Sequence, residues 1–171
     1  PTRKGPLAGA LAACVLWLAA TPAPAAPDLQ QILAGDVTIE QNADGSITLI
    51  HASDGAIIEY ASFDVFADEL VQFVQPGADA RVLNRVFGDA TRIDGTLLSN
   101  GIVYIVNPAG IFLDGNAVVD VGGLVAAAGN LTNEDFLAGV DRFDSTGEVV
   151  NTSDAIRGDV VALIGERGEN P

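Results

Sequence analysis

The stretch from Leu83 to Gly129 reads LNRVFGDATRIDGTLLSNGIVYIVNPAGIFLDGNAVVDVGGLVAAAG, and at its centre stands Val103-Tyr104-Ile105-Val106-Asn107-Pro108-Ala109-Gly110-Ile111-Phe112-Leu113. Two short apolar runs flank an Asn-Pro-Ala-Gly corner. β-Branched and aromatic residues crowd both runs, which favours strand over helix. Pro108 has no N–H to give a ladder and fixes its own φ, so it belongs at the corner. Asn107, placed before proline, is pushed to extended geometry and can bond its own turn through its side chain. Gly110 supplies the positive φ that a sharp turn often needs.

Outward from this corner the pattern continues on both sides. Short apolar segments alternate with corners at Asp94-Gly95, Asn100-Gly101, Asp114-Gly115 and Gly122-Gly123. Two runs, Ile102 to Val106 and Leu124 to Ala128, are apolar at nearly every residue, which suits strands covered on both faces. Asp94-Gly95 and Asp114-Gly115 lie 20 positions apart, near the length of one coil of a β-solenoid. A stacked solenoid therefore accounts for this stretch better than a sandwich, although pattern alone leaves the sandwich open.

Before the central stretch, residues 36–66 alternate apolar and polar. Val37 to Glu40, Ser46 to Ile50 and Ala56 to Tyr60 are expected strands, separated by Ala43-Asp44-Gly45 and Ser53-Asp54-Gly55, and Asp-Gly between alternating segments is a strong turn signal. Ala67 to Leu70 is expected to make one helical turn, and Val71 to Gln75 a strand stopped by Pro76-Gly77. After Gly129, Thr132 to Ala138 is the one helical candidate. Thr132 or Asn133 would cap it, with Glu134 and Asp135 in its first turn. Strand character resumes at Glu148 to Asn151 and at Asp159 to Ile164.

The chain of 171 residues has a net charge of −15, from 8 basic and 23 acidic side chains. Arg3 and Lys4 lie in a proposed leader, and without them the balance is −17. Such a surface argues against nucleic acid or anionic lipid as a partner. Excess acid keeps a repetitive β-surface soluble, with cation binding as the competing reading. There is no methionine, so a longer natural polypeptide is expected.

Residues 1–25 read as a secretory signal peptide. Arg3 and Lys4 give the positive start, Leu7 to Ala20 the apolar core, and Ala23-Pro24-Ala25 the small-residue cleavage site before Ala26. Leu11-Ala12-Ala13-Cys14 also fits a lipoprotein signal, but Val15-Leu16-Trp17-Leu18 continues the apolar core past the cysteine. A buried N-terminal helix is the third reading, disfavoured by the tract from Pro22 to Pro27. Cys14 is the only cysteine, so the rest of the chain has no thiol chemistry.

Chemistry-bearing residues are sparse. His51, the only histidine, reads as a solvated residue beside a turn. Asn42-Ala43-Asp44-Gly45 looks like half of a calcium loop without its later acidic ligand. Asp144-Ser145-Thr146-Gly147 reads as a loop. Metal and cofactor sites are expected to be absent. Arg85 and Arg92 are read first as partners of nearby acids, and Asn84 as a residue that bonds a turn or stacks in a ladder.

Residues from about 36 to 167 resemble the secretion domain of two-partner-secretion exoproteins, the filamentous-haemagglutinin-like, haemagglutination-activity domain family. The resemblance is carried by Ile57 to Val65, by Val71 to Pro76, by Leu83-Asn84-Arg85-Val86 and by Ile93 to Leu97. Asn107-Pro108-Ala109-Gly110-Ile111 stands for the family's Asn-Pro-Asn-Gly-Ile motif, with Ala109 departing from it. Val121 to Ala126 and Asp159 to Gly165 complete the series.

The resemblance implies an all-β fold: a right-handed parallel β-helix (β-solenoid) with short antiparallel β extensions and an N-terminal capping region. On this reading residues 26–35 are a short linker and lead-in to the cap, and 36–171 are the secretion domain, continuing into further repeats. The implied role is non-enzymatic: secretion targeting and folding nucleation of a large adhesin-like exoprotein. The implied partner is an outer-membrane β-barrel transporter with POTRA domains, after passage through the general secretory translocon. The product would be secreted or displayed at the cell surface by way of the periplasm and outer membrane of a Gram-negative bacterium. A host- or cell-surface ligand would meet a further C-terminal region. Asn107, Pro108, Ala109, Gly110 and Ile111 would form the recognition corner, with Asn84 and Arg85 as further candidates. The alternatives are a β-helical polysaccharide-acting enzyme and a structural surface solenoid exported by another route.

Overall fold

A computed structural model describes residues 27–170. The expected signal peptide and Cys14 fall before them.

The chain begins with β1 (Asp28–Ala34), β2 (Val37–Gln41), β3 (Ile47–Ala52) and β4 (Ala56–Ser62). It then winds through β5 (Leu70–Val74), β6 (Arg81–Val86), β7 (Thr91–Ile93), β8 (Thr96–Ser99), β9 (Ile102–Val106), β10 (Ile111–Leu113), β11 (Val118–Asp120) and β12 (Gly123–Ala127). An excursion follows, made of β13 (Gly129–Asn130), α1 (Asn133–Ala138) and β14 (Asp144–Ser145). The winding resumes with β15 (Glu148–Asn151), β16 (Ala155–Arg157), β17 (Val160–Ile164) and β18 (Arg167–Glu169).

The winding builds three sheets, ordered β1-β4-β6-β9-β12-β17, β16-β11-β8-β5-β3-β2 and β18-β15-β10-β7, and β13 pairs with β14 in a separate two-stranded sheet. From β5 onward each circuit contributes one strand to each sheet in parallel register, while the first circuit of β3 and β4 reaches the third sheet only through the Val65–Ile93 bridge. Arg81 faces Ile102 and Ile102 faces Gly123, a step of 21 residues. Thr91 faces Ile111 across a step of 20, and Thr96 faces Val118 across 22. The spacing of the Asp-Gly corners is therefore the coil length. The molecule is a parallel β-helix of about five turns.

Parallel stacking aligns inward side chains in columns. Ile58, Asn84, Ile105, Ala126 and Leu163 occupy one register line of the first sheet. Phe63, Phe73, Ile93, Leu97 and Ile111 fill the interior with no exposure. Burying each such side chain stabilises by about 1.5–3 kcal/mol, and no disulfide is present to assist.

The apolar runs of β9 and β12 have their explanation on the other face. Leu83, Tyr104, Val106, Val125 and Ala127 point outward and form a second core with Leu131 and Phe136 of the excursion. The excursion lengthens the step between Gly123 and its partner Val160 to 37 residues. Thr132 caps α1 by accepting from Asp135 N at 3.1 Å, and Gly139 closes it at φ 71°. Phe136 meets the Tyr104 ring edge-on at 5.2 Å, with Arg81 over its other flank at 5.1 Å.

Several local expectations differ from what forms. Ala67 to Leu70 is a turn rather than a helical turn, closed by Glu69 N donating to Phe66 O at 2.8 Å. Leu70 already belongs to β5, whose sheet pairing holds it extended. Asp144-Ser145 is not a free loop but the return strand of the excursion, antiparallel to β13. Residues 28–34 form β1, which covers the first edge of β4 in antiparallel, irregular register. Asp44-Gly45 closes a true hairpin between β2 and β3, whereas Asp54-Gly55 turns the chain between two sheets.

Candidate functional site

The corner between β9 and β10 is closed by one side chain. Asn107 is fully buried. Its Nδ2 donates to Asp89 O at 2.9 Å and to Thr91 Oγ1 at 3.0 Å, both in the preceding coil. Its Oδ1 accepts from Ala109 N at 2.9 Å. Its own N–H donates to Ala127 O of the following coil at 3.0 Å, and its carbonyl accepts from Gly110 N at 3.1 Å. One residue thus ties three successive coils, and both side-chain donors and the acceptor are matched.

Gly110 takes φ +121°, a region unfavourable to other residues, and a Cβ there would lie 3.2 Å from Glu148 O. Ile111 is buried in the helix interior. Of the five corner residues only Pro108 and Ala109 are exposed. The turn uses the backbone N–H of residue 109, so alanine there leaves its geometry intact.

Asn84 and Arg85 sit on the adjacent strand, with Arg85 in register with Val106, but they face opposite ways. Asn84 is fully buried inside the helix and donates to Tyr104 O at 3.0 Å. Arg85 is 7% exposed on the outer face of the sheet. It pairs with Glu59 at 3.4 Å and also donates to Leu131 O. The expected pairing of Arg85 with an acid forms, whereas Asn84 neither bonds a turn nor stacks in a ladder: its register partners are Ile58 and Ile105, and it bonds the Tyr104 carbonyl of the next strand. Arg92 pairs with Asp114 at 2.8 Å, and that bond and charge raise its already high pKa.

Among the described residues no group of three His, Cys, Asp or Glu side chains is placed to hold a metal ion. The Asp44 carboxylate accepts from Ser46 N at 3.0 Å and Ser46 Oγ at 2.6 Å, which lowers its pKa. It serves the hairpin. His51 is an exposed residue of β3. Sequence reasoning passed over Phe87, a corner aromatic 62% exposed; an apolar ring beside Gly88-Asp89, with no strand to bury it, was the available signal.

A three-sheeted parallel β-helix with an antiparallel first edge and a strapped outer face places the molecule in the class of right-handed β-solenoids. The chain belongs to the TPS secretion domain family, whose model matches residues 21–170. It is similar to the HMW1 secretion domain of Haemophilus influenzae, with a TM-score of 0.67 and 31% identity over 73% of this chain and 35% of that one. Two Haemophilus influenzae proteins named heme/hemopexin-binding protein are 38% and 31% identical over 106 residues. These matches take in 61% of this chain but only 11% and 12% of the relatives, so the chain spans a small part of their length.

Proposed function

We propose that this domain targets a large adhesin-like exoprotein for secretion and nucleates its folding, acting through a cognate outer-membrane β-barrel transporter with POTRA domains. It acts without catalysis. The signal peptide at 1–25 brings it to the periplasm through the general secretory translocon, and the product is released or displayed at the cell surface. A C-terminal region meets any host- or cell-surface ligand. The corner Asn107-Pro108-Ala109-Gly110-Ile111 carries recognition, with Asn84 and Arg85 beside it.

The observation that supports this reading is burial. Asn107, Gly110, Ile111, Asn84 and Arg85 are all buried in the folded domain, so a partner reading these side chains meets them before the coils close. The same contacts then assemble the corner, and further coils stack by nearest-neighbour contacts on the completed ones. Reading and folding thus use the same residues in succession.

The test is secretion in a Gram-negative host with and without the barrel gene. Release of folded domain only with the barrel supports the reading. Asn107→Ala is expected to abolish release while Ala109→Ser leaves it unchanged; unchanged export of Asn107→Ala would remove the corner as the signal.

A further inference from the structure

The corner between β8 and β9 closes on Asn100, an exposed residue, followed by the buried Gly101. Asn100 bonds the main chain of the preceding coil twice. Its Oδ1 accepts from Gln75 N and its Nδ2 donates to Gln75 O, both at 2.7 Å. Gly101 is held as well. Its N–H donates to Ser99 Oγ at 3.0 Å, and its carbonyl accepts from Gly123 N of the next coil at 3.3 Å. A Cβ at 101 would lie 2.7 Å from Ala80 O, so the close approach of the coils requires glycine.

Of the chain's asparagines only Asn100 precedes a glycine, and that dipeptide has a reaction of its own. The Gly101 nitrogen attacks Asn100 Cγ, and the new N–Cγ bond closes a five-membered succinimide. The Cγ–Nδ2 bond breaks, and ammonia leaves with the Gly101 N–H proton. Water then opens the ring at either carbonyl. One opening leaves aspartate. The other leaves isoaspartate, whose main chain runs through the side chain and is longer by one methylene. Glycine permits the attack because it has no side chain to crowd it. Asn107 cannot react in this way, since Pro108 has no N–H.

The folded corner blocks the first step by geometry, because water reaches Asn100. For the attack the amide must leave Gln75 and the peptide between residues 100 and 101 must turn away from Ser99. Neither restraint exists in the unfolded chain. The products, in turn, do not fit the corner. Aspartate has no amide donor, so a carboxylate oxygen would face Gln75 O, acceptor against acceptor. Isoaspartate lengthens the main chain just before β9, whose register sets Ile102 opposite both Arg81 and Gly123.

We propose that Asn100-Gly101 is a self-modification site that acts as a timer on the unfolded chain. Closing the coil stops the reaction, and only unmodified Asn100 lets the coil close. The inference rests on the geometry of this corner and holds whichever side chains a transporter reads.

The test incubates the whole chain at mildly alkaline pH, one portion folded and one in urea, followed by digestion and mass spectrometry. The peptide carrying Asn100 is expected to gain one dalton at least about tenfold faster in urea than in the folded protein. Asn100→Gln, whose ring would have six members and close more slowly, is expected to keep its mass in urea over the same time. Asn100→Asp is expected to raise the unfolding equilibrium constant by about tenfold or more, or to prevent folding. Equal rates in the folded protein and in urea overturn the proposal, as does an Asn100→Asp domain as stable as the parent.

Discussion

Asn107 shows how much one side chain can hold. Asn107→Ala removes three side-chain hydrogen bonds and leaves Thr91 Oγ1 and two backbone groups without them. The expected loss is about 2–4 kcal/mol, read by urea unfolding of the purified domain. A loss under about 0.5 kcal/mol would mean that water replaces the amide. The two tyrosines of the chain offer a second reading. Burial raises the pKa of Tyr60, and burial followed by the Asp141 carboxylate raises that of Tyr104. Tyr104 also donates to Asp141 at 3.1 Å. Both phenols hold their protons more tightly folded than unfolded, where the pKa is about 10. Their contribution is therefore intact below about pH 10 and is lost as pH climbs above it. Absorbance titration is expected to show Tyr60 protonated until the fold opens, and Tyr104 ionising above the ordinary midpoint. Resolved ionisation of one ring near pH 10 in folded protein would contradict this.

Among the elements, the corners and the excursion have different vulnerabilities. At Gly95 an added Cβ would meet Phe66 O at 2.0 Å and Glu69 O at 2.6 Å, both backbone atoms. Gly77 has open space around it. Gly95→Ala is expected to cost more than about 3 kcal/mol through displaced backbone. Gly77→Ala is expected to be neutral or to stabilise by up to about 1 kcal/mol by restricting the unfolded chain. Thermal unfolding of the two variants side by side checks the contrast. In the excursion Phe136 is fully buried against Tyr104. Phe136→Ala is expected to cost about 3–5 kcal/mol and to loosen the strap before the coils. Hydrogen exchange would then rise in residues 129–145 while β6 and β9 stay protected; uniform loss of protection would show that strap and coils open as one unit.

For the molecule as a whole, the two ends of the solenoid are unlike. The first end is covered by antiparallel β1 and β2. At the other end β16, β17 and β18 are the last strands of their sheets among the described residues. A cavity of about 570 Å³ opens there between Val149, Ile156, Val161 and Leu163. In the 171-residue chain taken by itself, these last strands invite pairing between copies, which the strong negative charge opposes. Sedimentation velocity is expected to show a monomer at low salt and increasing self-association as salt screens the charge. Val161→Asp, which puts an acid on the open end, is expected to reduce that association. Association insensitive to salt and to Val161→Asp would place the contact elsewhere.

The coil length, the corners and most strands were legible in local chemistry. Asp94-Gly95 and Asp114-Gly115 set the circuit, and β-branched runs such as Ile102 to Val106 mark its sides, because turn and strand preferences act within a few residues. The side of the sheet each residue faces was not legible. Asn84 and Arg85 look alike as polar residues in an apolar run, yet one lies inside the helix and the other beneath the excursion. Tertiary structure alone also turned residues 28–34 into a strand, since their side chains are largely exposed and β4 supplies the backbone partner. It alone placed Asn100 against the Gln75 main chain of the preceding coil. Those arrangements depend on contacts between chain segments far apart in sequence, and only stacking brings them together.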